Sequence, residues 1–268
     1  MVSGVAIAGI LFSFIISIGA PAALAIVLKV RKKESFLTAL AGAAVFVVFV
    51  MMLESAVNQT LFRLIPQLST NPAVFVAYTC LTAGLFEETG RMCMFFLMKK
   101  RIQDPSGAMM YGTGHGGAEA ILLVGTACIN NLVMVWILNT QGPDVLTAGL
   151  SGAQLAAMQN AIASLTQSPE IFCLAGIERL ITIPLHVALS VLVWMAVNRK
   201  ISFLFYPAAI LLHAACNIPA ALYQIGVLDN IILAEGVTAL LVLGVMLLVF
   251  FEYRNCRPKI EPSVTVSE

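Results

Sequence analysis

Two adjacent glutamates and an arginine lie in a stretch that is otherwise apolar enough to span a membrane. Glu87 and Glu88 are followed by Arg91. A charged side chain near the bilayer centre costs about 2.5 to 3.5 kcal/mol on insertion scales, so these groups require a polar interior made by the protein. On a helix, either carboxylate can reach the guanidinium. The three residues are therefore candidates for a functional site, with a structural ion pair as the alternative.

The three histidines of the chain, His115, His186 and His213, all fall within predicted spans. Counting 1.5 Å per helical residue from the cytoplasmic helix ends places each histidine and Glu87 at a depth of about 15 to 20 Å. Four helices would then bring polar groups to one level. This coincidence predicts one shared site.

Polar companions share a helix face with two of these histidines. Glu119 follows His115 by four residues, and Asn217 follows His213 by four. Each pair therefore projects from one stripe of its helix. The glycines of residues 111–120 allow close approach of a backbone or a substrate, and plain helix packing explains them equally well.

Such a set of residues could activate water. A carboxylate beside a histidine can take a proton from water, and a second histidine with an amide can stabilise the oxyanion formed at a peptide carbonyl. The same groups could hold zinc, in which case His115, His186 and His213 would be the ligands. The HExxH spacing of many zinc proteases is absent, since Gly116 follows His115. We therefore predict a site without a cofactor and leave zinc open.

The composition predicts a polytopic helical membrane protein. The 268 residues are 60% hydrophobic and 11% charged, with a mean hydropathy of +0.94. The formal net charge of +1 does not indicate an acidic partner. We expect membrane lipid and a peptide or membrane-protein substrate as partners, and no nucleic acid.

We expect an all-α fold of about seven transmembrane helices around a polar intramembrane cavity, in a single domain over residues 1–268. Apolar residues at helical spacing predict an interfacial helix at about 145–166, and a polar tail follows at 252–268. The predicted spans are 5–30, 36–61, 73–98, 106–138, 171–197, 201–224 and 231–251.

Basic residues fall on every second connection between the spans, at 29–33, 99–101, 199–200 and 254–259. The positive-inside rule then predicts an N-terminus outside and a C-terminus inside a bacterial cytoplasmic membrane.

A separate pair of charges lies farther from the cytoplasmic helix ends than the histidines do. Helix counting places Glu54 and Arg179 at one depth, about 30 Å from the cytoplasmic ends. This predicts an ion pair between the second and fifth spans, with Glu178 as a competitor for the guanidinium.

Four motifs carry a resemblance to a known family: residues 87–91, residues 114–120, Glu178 and Arg179 followed by His186, and His213 with Asn217. Together they resemble the YhfC family of bacterial intramembrane proteases and, beyond it, the CAAX-protease and bacteriocin-processing (CPBP) superfamily of glutamic intramembrane endopeptidases. The resemblance implies an intramembrane endopeptidase with Glu87 as the water-activating base, His186 as its partner, and His213 with Asn217 on the oxyanion side. Glu88 would be the second catalytic carboxylate. The supporting residues would be Arg91, His115, Glu119, Glu178 and Arg179.

Two departures from the superfamily motifs leave open which carboxylate is the base. Arg91 follows Glu88 after two residues instead of three, and Thr182 stands where phenylalanine would. His115 and Glu119 lie outside that motif set. We favour a glutamic mechanism, with a metalloprotease as the second mechanism.

Two other functions remain open at this point. A set of Glu, His and Arg residues inside a membrane is also typical of proton relays, so a proton-coupled transporter is the first alternative. The second is a non-catalytic peptide-binding or immunity scaffold with the same fold.

Overall fold

The computed structural model describes residues 1–167, 169 and 171–256, and this part of the chain is helical without strands. Two π-helical segments, π1 Phe46–Glu54 and π2 Ala120–Gly125, interrupt longer helices. The α-helices are α1 Gly4–Lys32, α2 Phe36–Val45, α3 Ser55–Leu64, α4 Gln67–Thr70, α5 Pro72–Leu97, α6 Pro105–Glu119, α7 Thr126–Thr140, α8 Pro143–Thr147, α9 Gly152–Gln167, α10 Ile171–Val197, α11 Phe205–Gln224 and α12 Ile231–Cys256.

Six helical segments are long and apolar enough to cross a membrane, and they correspond to six of the seven predicted spans. These segments are Gly4–Lys32, Phe36–Leu64, Pro105–Thr140, Ile171–Val197, Phe205–Gln224 and Ile231–Cys256. The seventh predicted span forms α5, a helix of 26 residues. It is not among the six because Glu87, Glu88 and Arg91 lower its apolar character. The all-α membrane fold is thus confirmed.

The helices form two compact units. The first comprises Met1–Ala23 and Glu119–Leu180, and the second comprises Leu24–Ala118 and the described residues from Ile181 onward. The organisation as a single domain stays a prediction. The predicted polar tail begins inside α12, and its residues 257–268 lie outside the described part of the chain.

The first unit has an apolar core that includes Ile10, Cys128 and Val135. The predicted amphipathic helix forms as α9, and its Leu165 is buried in this core. The hydroxyl of Ser13 donates a hydrogen bond to the carbonyl of Phe172 across the same unit.

A buried arginine in the first unit binds two carboxylates of the same unit. The guanidinium of Arg179 binds Glu119, with Nη1 2.6 Å from Oε1, and Glu178, with Nη2 2.8 Å from Oε1. The predicted competitor Glu178 thus binds the guanidinium. The predicted pair of Arg179 with Glu54 would join two different units and stays a prediction.

The second unit is built around α5, which begins at a well-defined cap. The side chain of Asn71 accepts hydrogen bonds from the backbone amides of Ala73 and Val74, and Pro72 occupies the first turn, where no amide donor is needed. Gly84 lets α5 approach α11 closely, since a Cβ at this position would lie 2.5 Å from the carbonyl oxygen of Ile210.

Glycines allow α6 to pack against two neighbouring backbones. A Cβ at Gly112 would lie 2.6 Å from Oγ of Ser190 and 2.7 Å from the carbonyl oxygen of His186. A Cβ at Gly114 would overlap the carbonyl of Ala39. The glycine-rich run therefore serves helix packing, which brings His115 of α6 close to α10.

We expect Gly112→Ala to lower the free energy of unfolding by about 1 to 3 kcal/mol, because the added methyl group overpacks a filled contact. The measurement is thermal unfolding in detergent. Gly244→Ala in α12 is the matched control, since a Cβ at that position would have no other atom within 4 Å. An equal effect of the two substitutions would contradict the close packing at Gly112.

We expect Arg179→Ala to lower the free energy of unfolding by about 3 to 5 kcal/mol, because the change strands two carboxylates. In a double-mutant cycle, Arg179→Ala combined with Glu119→Ala should cost less than the sum of the single changes. The exposed Arg63 provides the control substitution Arg63→Ala. Strict additivity of the two single changes would rule out this ion pair.

Candidate active site

Six buried ionisable side chains from four helices of the second unit form one cluster. Helix α5 contributes three of them, and α6, α10 and α11 contribute one histidine each. The side chains are Glu87, Glu88, Arg91, His115, His186 and His213. The structure therefore brings together the residues that sequence depth placed at one level.

Glu87 faces all three histidines. Its Oε2 lies 2.9 Å from Nε2 of His115 and 3.7 Å from Nδ1 of His186. Its Oε1 lies 3.7 Å from Nε2 of His213. Glu87 is thus the carboxylate that imidazole nitrogens surround.

Glu88 has a different set of partners. Arg91 binds it with two donors, Nε at 2.9 Å from Oε2 and Nη2 at 3.2 Å from Oε1. Nδ1 of His213 lies 2.8 Å from Oε1 of the same carboxylate. This two-point contact with a guanidinium is the strong, geometrically specific kind of ion pair. Glu88 is therefore held in place, and it holds one nitrogen of His213.

Arg91 also ties α5 to α10. Its Nη1 donates to the carbonyl oxygen of His186 at 2.9 Å and to Oγ of Ser190. Ser190 in turn donates to the carbonyl oxygen of His186 at 2.7 Å. Ser190 was missed from the sequence, although it follows His186 by four residues and so shares its helix stripe.

Aromatic rings support His115 from the side of the apolar core. The ring of Phe46 in π1 meets the imidazole edge-on at a centroid distance of 5.5 Å, and that of Tyr111 lies 6.2 Å away. π-helical segments often occur at functional sites. The apolar run of π1 contained no signal for this role.

Four other predicted site residues are not among these six side chains. Asn217 is half-buried on α11 one turn after His213, and no side-chain hydrogen bond joins it to another described residue. Glu119, Glu178 and Arg179 belong to the first unit, where the arginine binds both carboxylates. The catalytic role of Asn217 and the supporting roles of these three residues stay predictions.

The charges of the cluster require a balancing positive charge. With neutral imidazoles, two carboxylates and one guanidinium leave one net negative charge in a buried place. An uncompensated buried charge is costly, so a cation or a protonated histidine is needed to balance it.

Three of the residues could hold a metal ion. Ligand atoms of Glu87, His115 and His186 all lie within 4.8 Å of one another. Zinc bonds of about 2.0 Å in a tetrahedron separate ligand atoms by about 3.3 Å. The observed separations from Oε2 of Glu87, 2.9 and 3.7 Å, lie on either side of that value. Two imidazoles and one carboxylate form a known catalytic zinc set that leaves the fourth position open for water.

The close group of ligand atoms differs from the ligands predicted from the sequence. It contains Glu87, His115 and His186, whereas the prediction was His115, His186 and His213. Nδ1 of His213 lies 2.8 Å from Glu88, and its Nε2 lies 3.7 Å from Glu87, so the predicted ligand set stays a prediction. The sequence also predicted a site without a cofactor. The structure does not support that prediction, because the ligand atoms of this group could hold a metal ion.

The comparisons with known proteins agree with the resemblance. A family model described as YhfC intramembrane metalloprotease matches residues 12–238. The "Uncharacterized membrane protein YhfC" of Bacillus subtilis (strain 168) is 33% identical over 246 residues, which cover 90% of this chain and 94% of that protein. No solved structure gives a significant match.

The family match confirms the predicted resemblance and supports an intramembrane protease. The link to the CPBP superfamily and the glutamic mechanism stay predictions. The apolar helices agree with an integral membrane protein. By the extent of both matches, the chain belongs to the YhfC intramembrane metalloprotease family.

Proposed function

We propose that the protein is a zinc-dependent intramembrane endopeptidase. The observation that carries the proposal is the meeting of Glu87, His115 and His186 at one buried point. The description of the family as metalloproteases supports it. In this proposal the three residues hold the metal, and His213 is the general base.

A bound zinc ion would supply a Lewis acid that activates water and polarises the scissile carbonyl. Glu87 would contribute the negative charge that makes the pocket attractive to a dication. The guanidinium of Arg91 neutralises Glu88, so Glu87 remains the carboxylate available to the metal.

His213 is suited to move a proton. Its hydrogen bond to Glu88 is best satisfied by a proton on Nδ1, which leaves Nε2 as an acceptor on the side of Glu87. When Nε2 takes a proton from the attacking water, Glu88 stabilises the resulting imidazolium. The water oxygen joins the carbonyl carbon, the carbon–nitrogen bond breaks, and His213 returns the proton to the leaving amine.

Arg91 acts as a positioning residue. It fixes Glu88 from one side and the backbone of His186 from the other, and it therefore sets the distance between α5 and α10. Asn217 would stabilise the oxyanion in this proposal, as the resemblance implies.

The remaining parts of the proposal come from the sequence. They are a location in the bacterial cytoplasmic membrane with the N-terminus outside, a peptide or membrane-protein substrate, and contact with lipid. The comparisons give no support to the two alternatives, a transporter and a non-catalytic scaffold. A metal-free glutamic mechanism, with Glu87 itself as the base, is the competing account that experiment must separate.

We expect wild-type protein to bind about one zinc ion per chain and Glu87→Gln to bind almost none, with peptide cleavage reduced by at least about 100-fold. The substitution keeps the size of the side chain and removes its charge. Metal content is measured by mass spectrometry, and cleavage by incubation with a library of membrane-protein peptides. Glu252→Gln on α12 is the matched control. Full activity in wild-type protein stripped of metal would favour the glutamic mechanism over this one.

The zinc content and kcat of histidine variants should distinguish the proposed metal ligands from the proposed general base. We expect His186→Gln to lose zinc, whereas His213→Gln should keep zinc and lose about 10²- to 10⁴-fold in kcat, as general-base residues do. Zinc content and kcat are measured on the same preparations. Loss of zinc from His213→Gln with retention in His186→Gln would overturn the proposed ligand set.

A further inference from the structure

Glu54 is a buried carboxylate that the mechanism above does not use. It is the last residue of π1, and 7% of its surface is exposed. Nδ2 of Asn58 lies 3.3 Å from its Oε1, while its buried Oε2 has no hydrogen-bond partner within the described residues. The first residue of π1, Phe46, contacts the ring of His115, and Asn58 contacts Tyr78 of α5, the helix that carries Glu87. Glu54 is therefore a third carboxylate on the segments that border the active site.

Polar groups continue from Glu54 toward the end of α3. The hydroxyl of Tyr78 lies 2.6 Å from Oδ1 of Asn58, and both residues are half-buried. Asn58 is six residues, or about 9 Å, from the end of α3 at Leu64. The exposed positions of α3 include the polar Gln59, Thr60 and Arg63 beside the apolar Ala56, Val57 and Leu64, whereas π1 has no polar residue before Glu54. This end of α3 is therefore suited to contact water.

Apolar side chains fill the core formed by α5, α6 and α10. The rings of Phe95 and Tyr111 pack at a centroid distance of 4.7 Å, and Leu189 and Trp194 are fully buried in the same cluster. The indole nitrogen of Trp194 donates to the carbonyl oxygen of Ile102. These buried positions provide the comparison for the accessibility of Glu54.

We propose that Glu54, Asn58 and Tyr78 form a polar path that exchanges water and protons between the active site and the surface at the end of α3. The kinetic role of the path rests on the proposed peptidase function. Each hydrolysis consumes one water molecule: one of its protons passes to the leaving amine, and the other stays on the new carboxyl group until it is released. Glu54 accepts that second proton on Oε2 and passes it to water at Asn58 and Tyr78.

The path predicts a specific kinetic pattern. Glu54→Gln should lower kcat by about 10-fold or more with unchanged KM and zinc content, and it should increase the solvent isotope effect, because proton release becomes slower. Glu54→Asp should recover most of the rate, since it restores a carboxylate. Tyr78→Phe removes only a hydroxyl group, and it should also lower kcat, by a smaller factor. Tyr206→Phe is its matched control, since it removes a half-buried hydroxyl that bonds to Thr89.

Thiol labelling tests the path without any substrate. In a chain without its six native cysteines, Glu54→Cys should react with a small cationic methanethiosulfonate reagent, whereas Tyr111→Cys and Leu189→Cys should stay protected. Thermal unfolding verifies that each variant is folded. An unreactive folded Glu54→Cys, or equal reactivity at Tyr111→Cys, would overturn the path.

The two proposals fail in different ways. If Glu54→Gln keeps the wild-type kcat while Glu87→Gln loses zinc and activity, the path is wrong and the peptidase proposal stands. If the wild-type protein cleaves no peptide but Glu54→Cys reacts as expected, the peptidase proposal is wrong and the water path stands.

Discussion

The ion pair between Glu88 and Arg91 is the constraint on which the rest of the active site depends. It lies in full burial, where leaving either charge unpaired would cost several kcal/mol. The guanidinium also contacts Ser190 and both the backbone carbonyl and Nδ1 of His186, and the carboxylate holds Nδ1 of His213. One pair on α5 thereby orients the histidines of α10 and α11. Because this pair is neutral as a unit, the remaining charge of the site resides on Glu87.

The two adjacent glutamates have different partners. One helix therefore supplies both a structural ion pair and a candidate metal ligand. Successive helical residues diverge by about 100°, so Glu87 and Glu88 face different neighbours. Glu88 faces Arg91 and His213, and Glu87 faces the imidazole nitrogens that could share a metal with it. Close packing of α6 through Gly112 and Gly114 is needed for His115 to join this group. The site is thus a product of helix contacts as much as of its charged residues.

The sequence predicted the fold class and the cluster of Glu87, Glu88 and three histidines, because ionisable residues within apolar helices are costly unless they share a polar interior. It did not predict which atoms meet. Helix counting gives depth but no rotation, so it did not predict that Arg179 binds Glu119 or that His213 binds Glu88. The π-helical turn that orients Glu54 has no sequence signature of its own.

The most direct test of the central claim is X-ray absorption spectroscopy at the zinc edge of the purified wild-type protein. Multiple scattering from the outer ring atoms identifies and counts imidazole ligands, because carboxylate and water ligands do not produce it. The account predicts two imidazole nitrogens together with oxygen ligands from Glu87 and from water. A shell of three imidazoles, or active protein that holds no zinc, would contradict it.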